Sequence, residues 1–319
     1  MPIAFRAQIS AMLTIIKRLL QGVLVIFLVL TVTFFLLRLI PGDPARLIAG
    51  NAEESVVQAL REKMGLTKPV LVQYKDYMLG LFTGNMGFSY FAKNDVAYVI
   101  ANSFKPTLVM IMIALPSAVI VGLLIGLLCG VFRGTLFDRI LTSIAVLFQS
   151  MPNYWVAIML IQIVGVKLGW FPASGYKDPS HAILPALVLG LPLAGVFARS
   201  VRTNLIGAMQ QDFSKAAKAR GVPFLHVLMG YSFRDILVAF LTLIASQLGF
   251  MMGNSLLIEN IFGYPGLGLQ TLNAILRRDY FLVQGLVALL AAVFIAINTL
   301  VDISYMYLDP RIRKAQGGL

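Results

Sequence analysis

Apolar runs about as long as a bilayer crossing recur along the chain, and Gly, Pro and charge collect between them. A helix needs about 20 apolar residues to traverse a hydrocarbon layer of about 30 Å. Six stretches satisfy this: Ile15–Leu39, Pro106–Val131, Ile140–Val166, Ile183–Val201, Ile236–Ile258 and Phe281–Tyr307. None shows the alternation over about 10 residues that marks a membrane barrel strand. The pattern predicts an all-α, polytopic membrane protein with six transmembrane helices. Lys17 and Arg18 precede the first run as they would in a signal peptide. That run exceeds the roughly 7–15 residues of a signal core, and no small-x-small cleavage site follows, so it reads as a retained span.

The short connections fix the orientation. With the N-terminus inside, inner segments carry Arg6, Lys17, Arg18, Arg133, Arg139, Arg199, Arg202, Lys215, Lys218, Arg220, Arg234, Arg311, Arg313 and Lys314. The two short outer loops hold only Lys167, Lys177, Arg277 and Arg278. Positive charge retained inside places both termini in the cytoplasm. The remaining long connection, Pro41–Lys105, exceeds a bare linker. Pro41-Gly-Asp-Pro44 predicts a rigid turn out of the membrane. Val56, Val57, Leu60 and Met64 recur at helical spacing, and Tyr74, Tyr77, Met78 and Leu81 do so after Pro69. A third short helix is expected over Asp95–Phe104. Residues 41–105 thus read as a small helical outer cap, either a lid packed on the spans or a docking surface.

Composition agrees: 59% of the 319 residues are hydrophobic and 13% charged, against about 25% charged in soluble domains. The net charge of +12 borders apolar runs instead of forming a basic domain, so no nucleic acid is expected. The lone Cys129 allows no intrachain disulfide, and His181 and His226 fall on different loops, so no metal site is expected. The sequence contains no P-loop, no G-x-S-x-G and no H-E-x-x-H. Asp302 is the one acid inside a predicted span, with pairing to Arg199 or Arg202 weighed against a proton relay. No catalytic residue is assigned, and no engine for uphill transport is visible.

An engine could attach at one place. In the inner loop 203–235, Ala216, Ala217 and Ala219 favour helix, with Lys215, Lys218 and Arg220 beside them. Asp212 is placed to cap its start, Gly221 to supply a left-handed turn, and Pro223 to open a second short helix. Two helical pieces at an angle make a rigid knob outside the bilayer. Within the spans, polar positions stand out. Gln149, Ser150 and Asn153 fall on the third, and Ser246, Gln247, Asn254 and Ser255 on the fifth. They serve either as interhelical hydrogen-bonding groups or as the lining of a path. Beyond the fifth span, the glycines and Pro265 of Glu259–Gly268 predict a tight re-entrant turn.

Asp212-Phe213-Ser-Lys-Ala-Ala-Lys-Ala-Arg-Gly221 resembles the EAA loop of binding-protein-dependent ABC importer permeases, in the form found in the B-type subunits of the dipeptide/oligopeptide/nickel family. The resemblance covers nearly the whole chain. It runs through Leu37-Arg-Leu-Ile-Pro-Gly-Asp-Pro-Ala45, Ser150-Met-Pro-Asn-Tyr-Trp155, His181-Ala-Ile-Leu-Pro185, Glu259-Asn-Ile-Phe-Gly-Tyr-Pro-Gly-Leu-Gly268, Arg278-Asp-Tyr280 and Asp309-Pro-Arg311. The chain departs from the family where Lys215 replaces the EAA glutamate, Ala239 the usual proline, and Asn85-Met-Gly87 the usual outer-loop pattern.

The resemblance implies a type I ABC importer permease fold, with residues 106–319 as the permease core and 1–40 as N-terminus and first span. It implies a multi-pass protein of a prokaryotic inner membrane that imports di- or oligopeptides. Nickel chelates are the alternative cargo, and a stand-alone secondary transporter the alternative class. It also implies a heterodimer with a C-type permease, two ATPase subunits holding ATP and Mg, and an extracytoplasmic binding protein. Asp212, Phe213, Lys215, Ala216, Ala217, Lys218, Ala219, Arg220, Gly221 and Pro223 would meet an ATPase. Glu259, Asn260, Gly263, Pro265, Gly266 and Gly268 would form an outer gate.

Overall fold

A computed structural model describes residues 3–227, 230 and 233–308. The Asp309-Pro-Arg311 match lies outside the described residues, as do the side chains of Lys218 and Asp302. The chain forms thirteen α-helices among these residues: α1 (Ile3–Leu39), α2 (Pro44–Ala49), α3 (Glu54–Lys63), α4 (Val70–Thr83), α5 (Val96–Val131), α6 (Leu136–Ser150), α7 (Asn153–Leu160), α8 (Ile183–Gln210), α9 (Asp212–Ala219), α10 (Phe224–Val227), α11 (Phe233–Ile261), α12 (Leu267–Leu276) and α13 (Tyr280–Leu308). A two-residue antiparallel pair, β1 (Phe88–Ser89) with β2 (Asn94–Asp95), precedes α5. Helices α1, α5, α8 and α13 are each long and apolar enough to cross a membrane, and α6 with the stretch Asn153–Lys167 reaches that length and hydropathy as a bent pair. Helix α11, 29 residues long, packs against α8 and α13.

Helix α8 is the axis of the bundle. In its most apolar window 67% of residues are buried, against 17% for α1, so α1 lies at the periphery. Helices α5 and α8 run parallel and very close, because Gly122, Gly126 and Gly130 form one stripe of α5 at four-residue spacing. A Cβ on Gly126 would sit 2.5 Å from the Ala198 carbonyl oxygen and 2.6 Å from Val201 Cβ. One on Gly122 would meet Phe197 Cβ at 2.5 Å, and one on Gly130 would meet Leu205 Cδ2 at 2.5 Å. Small residues that let backbones approach supply the van der Waals contact that holds helices together in lipid.

Three expectations are corrected. The third span is not one straight helix, since α6 and α7 meet at a 100° bend. Met151 precedes Pro152 and is held extended (φ −71°, ψ 133°), because the proline ring disfavours helix at the residue before it. Helix α7 restarts when Trp155 and Val156 donate to the Pro152 carbonyl at 3.0 and 3.2 Å, then loosens into a π-helical turn over Ile161–Lys167. Second, no separate helix stands over Asp95–Phe104: α5 runs unbroken from Val96 through Pro106 and Pro116. A proline inside a span is tolerated where neighbouring helices compensate the freed backbone groups. Third, α8 continues past Val201 to Gln210, so the inner loop begins as a helical extension of the span.

Outside the bundle, α2, α3, α4 and the β pair form the cap. Asp43 accepts from Ala45 N at 3.0 Å, capping α2, and pairs with Arg61 of α3 at 2.5 Å. Val57 and Met64 close a small core around Ala45. Helix α4 runs through Gly80 and stops at Gly84, which takes φ 76°. Tyr74 shares a 2.7 Å hydrogen bond with Thr31 of α1, and buried Ser89 donates to Asp279 at 2.5 Å, so the cap is fastened to both α1 and the start of α13.

Candidate functional site

Residues singled out in the sequence gather at opposite ends of the bundle. At one end, α9 hangs from the tip of α8. Gln211 has extended backbone (φ −66°, ψ 153°), and its carbonyl accepts from Lys215 N at 3.1 Å. The N-cap is therefore Gln211, not Asp212. Asp212 occupies the first helical position, where its carboxylate suits the positive end of the helix, and it pairs with Lys215 at 3.3 Å. Ser214 is fully buried and donates to the Ala208 carbonyl of α8 at 2.8 Å, and Ala217, one turn on, is buried beside it. These two pin the inner face of α9. Phe213, Ala216 and Arg220 recur at i, i+3 and i+7 on the exposed side, with Lys215 and Ala219 next to them.

The helix ends sharply. Gly221 takes φ 78°, and Val222 N donates back to the Ala217 carbonyl at 3.1 Å, the six-to-one bond of a Schellman ending. Pro223 then accepts from His226 N and Val227 N at 2.9 and 3.1 Å, opening α10, and Val227 is fully buried. The result is a short helix anchored on one side, with a mixed apolar and basic face turned outward.

At the other end, Glu259–Gly268 folds back as the sequence predicts, and its chemistry is that of a clamp. Helix α11 ends with Gly263 at φ 55° and Tyr264 N donating to the Glu259 carbonyl at 2.8 Å. Helix α12 then starts with N–H groups that have no partner in their own helix. Thr107 of α5 takes the first, accepting from Leu267 N at 2.8 Å. The Glu259 carboxylate takes the next two, from Gly268 N at 2.6 Å and Leu269 N at 3.4 Å, and accepts from Thr107 Oγ1 at 2.6 Å. Glu259 is fully buried. A Cβ on Gly266 would fall on that carboxylate, and one on Gly268 would meet the Leu256 backbone. Tyr264, also fully buried, donates to the Pro106 carbonyl at 3.0 Å. Asn260 donates to Leu256 O at 2.6 Å, and Pro265 is half-buried.

The polar span residues divide. Asn153 of α7 donates to Asn254 of α11 at 3.4 Å, joining the two helices, and Gln149 accepts from Arg199 of α8. Ser150, Ser246 and Ser255 donate to carbonyls of their own helices, and Ser255 is buried. Gln247 and Asn254 lie half-buried beside an exposed strip of α11 formed by Ser246, Phe250, Gly253 and Leu257. Arg202, weighed as a partner for Asp302, instead makes a two-pronged pair with buried Asp138 of α6 at 2.7 and 2.8 Å. Thr107 and Asp138 escaped the sequence reading. Asp138 follows Thr135 at N-cap spacing, a signal that was available.

Residues 122–314 match the family described as "Binding-protein-dependent transport system inner membrane component", and residues 12–119 match its N-terminal membrane component. The chain belongs to this family. It is therefore a multi-pass inner-membrane permease component of an ABC importer system, which works with ATPase subunits and a substrate-binding protein. Two relatives cover the permease almost end to end. The glutathione transport system permease protein GsiC of Escherichia coli (strain K12) is 35% identical over 300 residues, 94% of this chain and 98% of that one. A putative peptide transport system permease protein of Brucella abortus (strain 2308) is 37% identical over 308 residues with the same coverage, 94% and 98%. A crystal structure of an amino acid ABC transporter with histidines overlaps 65% of this chain and 92% of its own, at TM-score 0.49 and 15% identity. The family assignment stands on the sequence matches alone.

Proposed function

We propose that this permease is the B-type half of a heterodimeric importer for short peptides, with α9 as the handle gripped by one ATPase subunit. The observation that carries the proposal is the construction of α9: fastened to α8 by Ser214, turned by Gly221, and presenting Phe213, Ala216 and Arg220 outward. ATP and Mg sit in the ATPase subunits, and this chain performs no catalysis. A homologous C-type permease completes the path. Closure of the ATPases displaces α9, and α8 and α11 carry the movement to the α12 clamp beneath the binding protein. Rigid elements that switch between packed arrangements transmit such a displacement.

Peptide cargo is supported by the two relatives, one named for glutathione and one for peptides. A path with amides and hydroxyls and little charge accommodates varied peptides and leaves selection to the binding protein. The test is ATP-driven uptake by vesicles holding the assembled transporter, with labelled dipeptides, tripeptides and nickel chelates in parallel. Saturable peptide uptake that nickel chelates do not compete away is expected. Uptake of the chelate alone would overturn the peptide reading, and uphill uptake without ATPase subunits would overturn the mechanism.

A further inference from the structure

Helix α4 is apolar over most of its length, yet none of its residues is buried. Leu71 is 74% exposed and Phe82 87%, and Val72 and Leu79 are exposed with them. Taking a Leu or Phe side chain out of water is worth about 1.5–3 kcal/mol, so such a face favours an apolar cover. The contacts of α4 with α1 say where it lies. Gln73 Oε1 accepts from Arg38 at 2.7 Å, in the last turn of α1. The Tyr74 hydroxyl shares its 2.7 Å hydrogen bond with Thr31, about 10 Å further along α1 toward the membrane interior. Neighbouring residues of α4 are only about 1.5 Å apart along their own axis. The two side chains therefore point to different depths, and α4 lies across α1, not along it.

That direction fixes the rest of the helix. At about 100° per residue, Met78, Leu71 and Phe82 fall about 40°, 60° and 80° beyond Tyr74, on the side turned toward the membrane interior. Asp76 falls about 60° to the other side of Gln73, toward water. The polar groups agree with this placement. Asp76 pairs with Lys68 at 2.6 Å, Gln73 Nε2 donates to the Lys68 carbonyl at 2.8 Å, and Thr83 donates to the Gly80 carbonyl at 3.1 Å. Lys75, exposed among the apolar residues, has a stem long enough to carry its ammonium to the head groups. The apolar face of α4 is continuous with the exposed apolar side of the peripheral helix α1. Phe35, itself exposed, stacks on Tyr74 at 5.6 Å between ring centres. Val32, Leu36 and Leu39, at helical spacing from Phe35, are exposed too.

We propose that α4 lies in the outer leaflet as an interfacial helix, with Leu71, Met78 and Phe82 sunk among the acyl chains and Asp76 on the water side. An interfacial helix buries its apolar face about 5–10 Å into the boundary between head groups and chains. The test places one nitroxide label on each of Leu71→Cys, Phe82→Cys and Asp76→Cys, in a Cys129→Ala background. All three positions are exposed, so labelling leaves the packing intact. The assembled transporter is studied in vesicles of phosphatidylcholine and phosphatidylglycerol. Electron paramagnetic resonance reads how often each label collides with oxygen, which concentrates in lipid, and with water-soluble chromium oxalate. The ratio of oxygen to chromium access is expected to be several-fold higher at positions 71 and 82 than at 76. A ratio at 71 or 82 no higher than at 76 would overturn the proposal and leave this face to water or to the binding protein. Exclusion of both reagents from 71 or 82 would overturn it in favour of a protein cover.

Discussion

Replacing Glu259 separates a clamp from a spectator. In Glu259→Ala, the Gly268 N–H loses its buried acceptor, while the Thr107 hydroxyl is left with the Ser103 carbonyl at 3.3 Å. The stranded N–H costs about 1–3 kcal/mol, with the lower end reached if a water enters the gap. Glu259→Gln has a different outcome because of Thr107. Its hydroxyl already lies 3.3 Å from the Ser103 carbonyl and can turn its proton there. Its oxygen then accepts from both Leu267 N and the new amide, while the amide oxygen keeps Gly268 N. The expected cost of Glu259→Gln is under about 1 kcal/mol. The assay is thermal unfolding of the purified transporter in one detergent, with uptake measured in parallel. The order parent ≈ Gln > Ala is expected in melting temperature, with uptake following. Equal melting of Ala and parent, or equal damage by Gln and Ala, would refute the hydrogen-bond accounting.

Two other outcomes follow from packing and charge. Gly126→Ala places a methyl 2.5 Å from the Ala198 carbonyl oxygen, a backbone atom that cannot retreat, so α5 and α8 must part. Overpacking of this kind costs about 1–3 kcal/mol and is read as a lower melting temperature, while the same change at open Gly253 has little effect. At Asp279, burial pushes the carboxyl above its ordinary value of 3.8, opposed by hydrogen bonds from Ser89 and Leu282 N. The folded state then holds its proton longer than the unfolded state does. This contribution to stability is complete below pH 3.8 and lost as pH rises through the raised folded value. Asp279→Asn should flatten the melting profile in that window, and an unchanged slope would place the titration elsewhere.

The spans and the knob were legible because both are local. A run of apolar residues declares a crossing, and alanines followed by Gly221-Val-Pro declare a helix, a left-handed stop and a restart. The bend at Met151-Pro152 was hidden because both arms are apolar, so one continuous run covers two helices. The joining of Asp95–Phe104 to the second span was hidden because Pro106 reads as a start, and only tertiary packing makes it an interior residue. The re-entrant turn was visible in its glycines, but its clamp was not, since Thr107 and Glu259 lie 152 positions apart. The Gly122, Gly126 and Gly130 stripe was present at helical spacing, yet its meaning depends on Ala194 and Ala198 of another helix. Long-range pairs of this kind leave no periodic signal in one sequence.

The most direct test of the account concerns α9. Residues 213–221 are replaced by a flexible Gly-Ser linker of equal length in the assembled transporter, and peptide uptake and ATP hydrolysis are measured on the same vesicles. The expected product is an inserted, correctly folded permease with uptake abolished and hydrolysis no longer stimulated by the loaded binding protein. Uptake at the parental rate through a linker that cannot carry a push would contradict it.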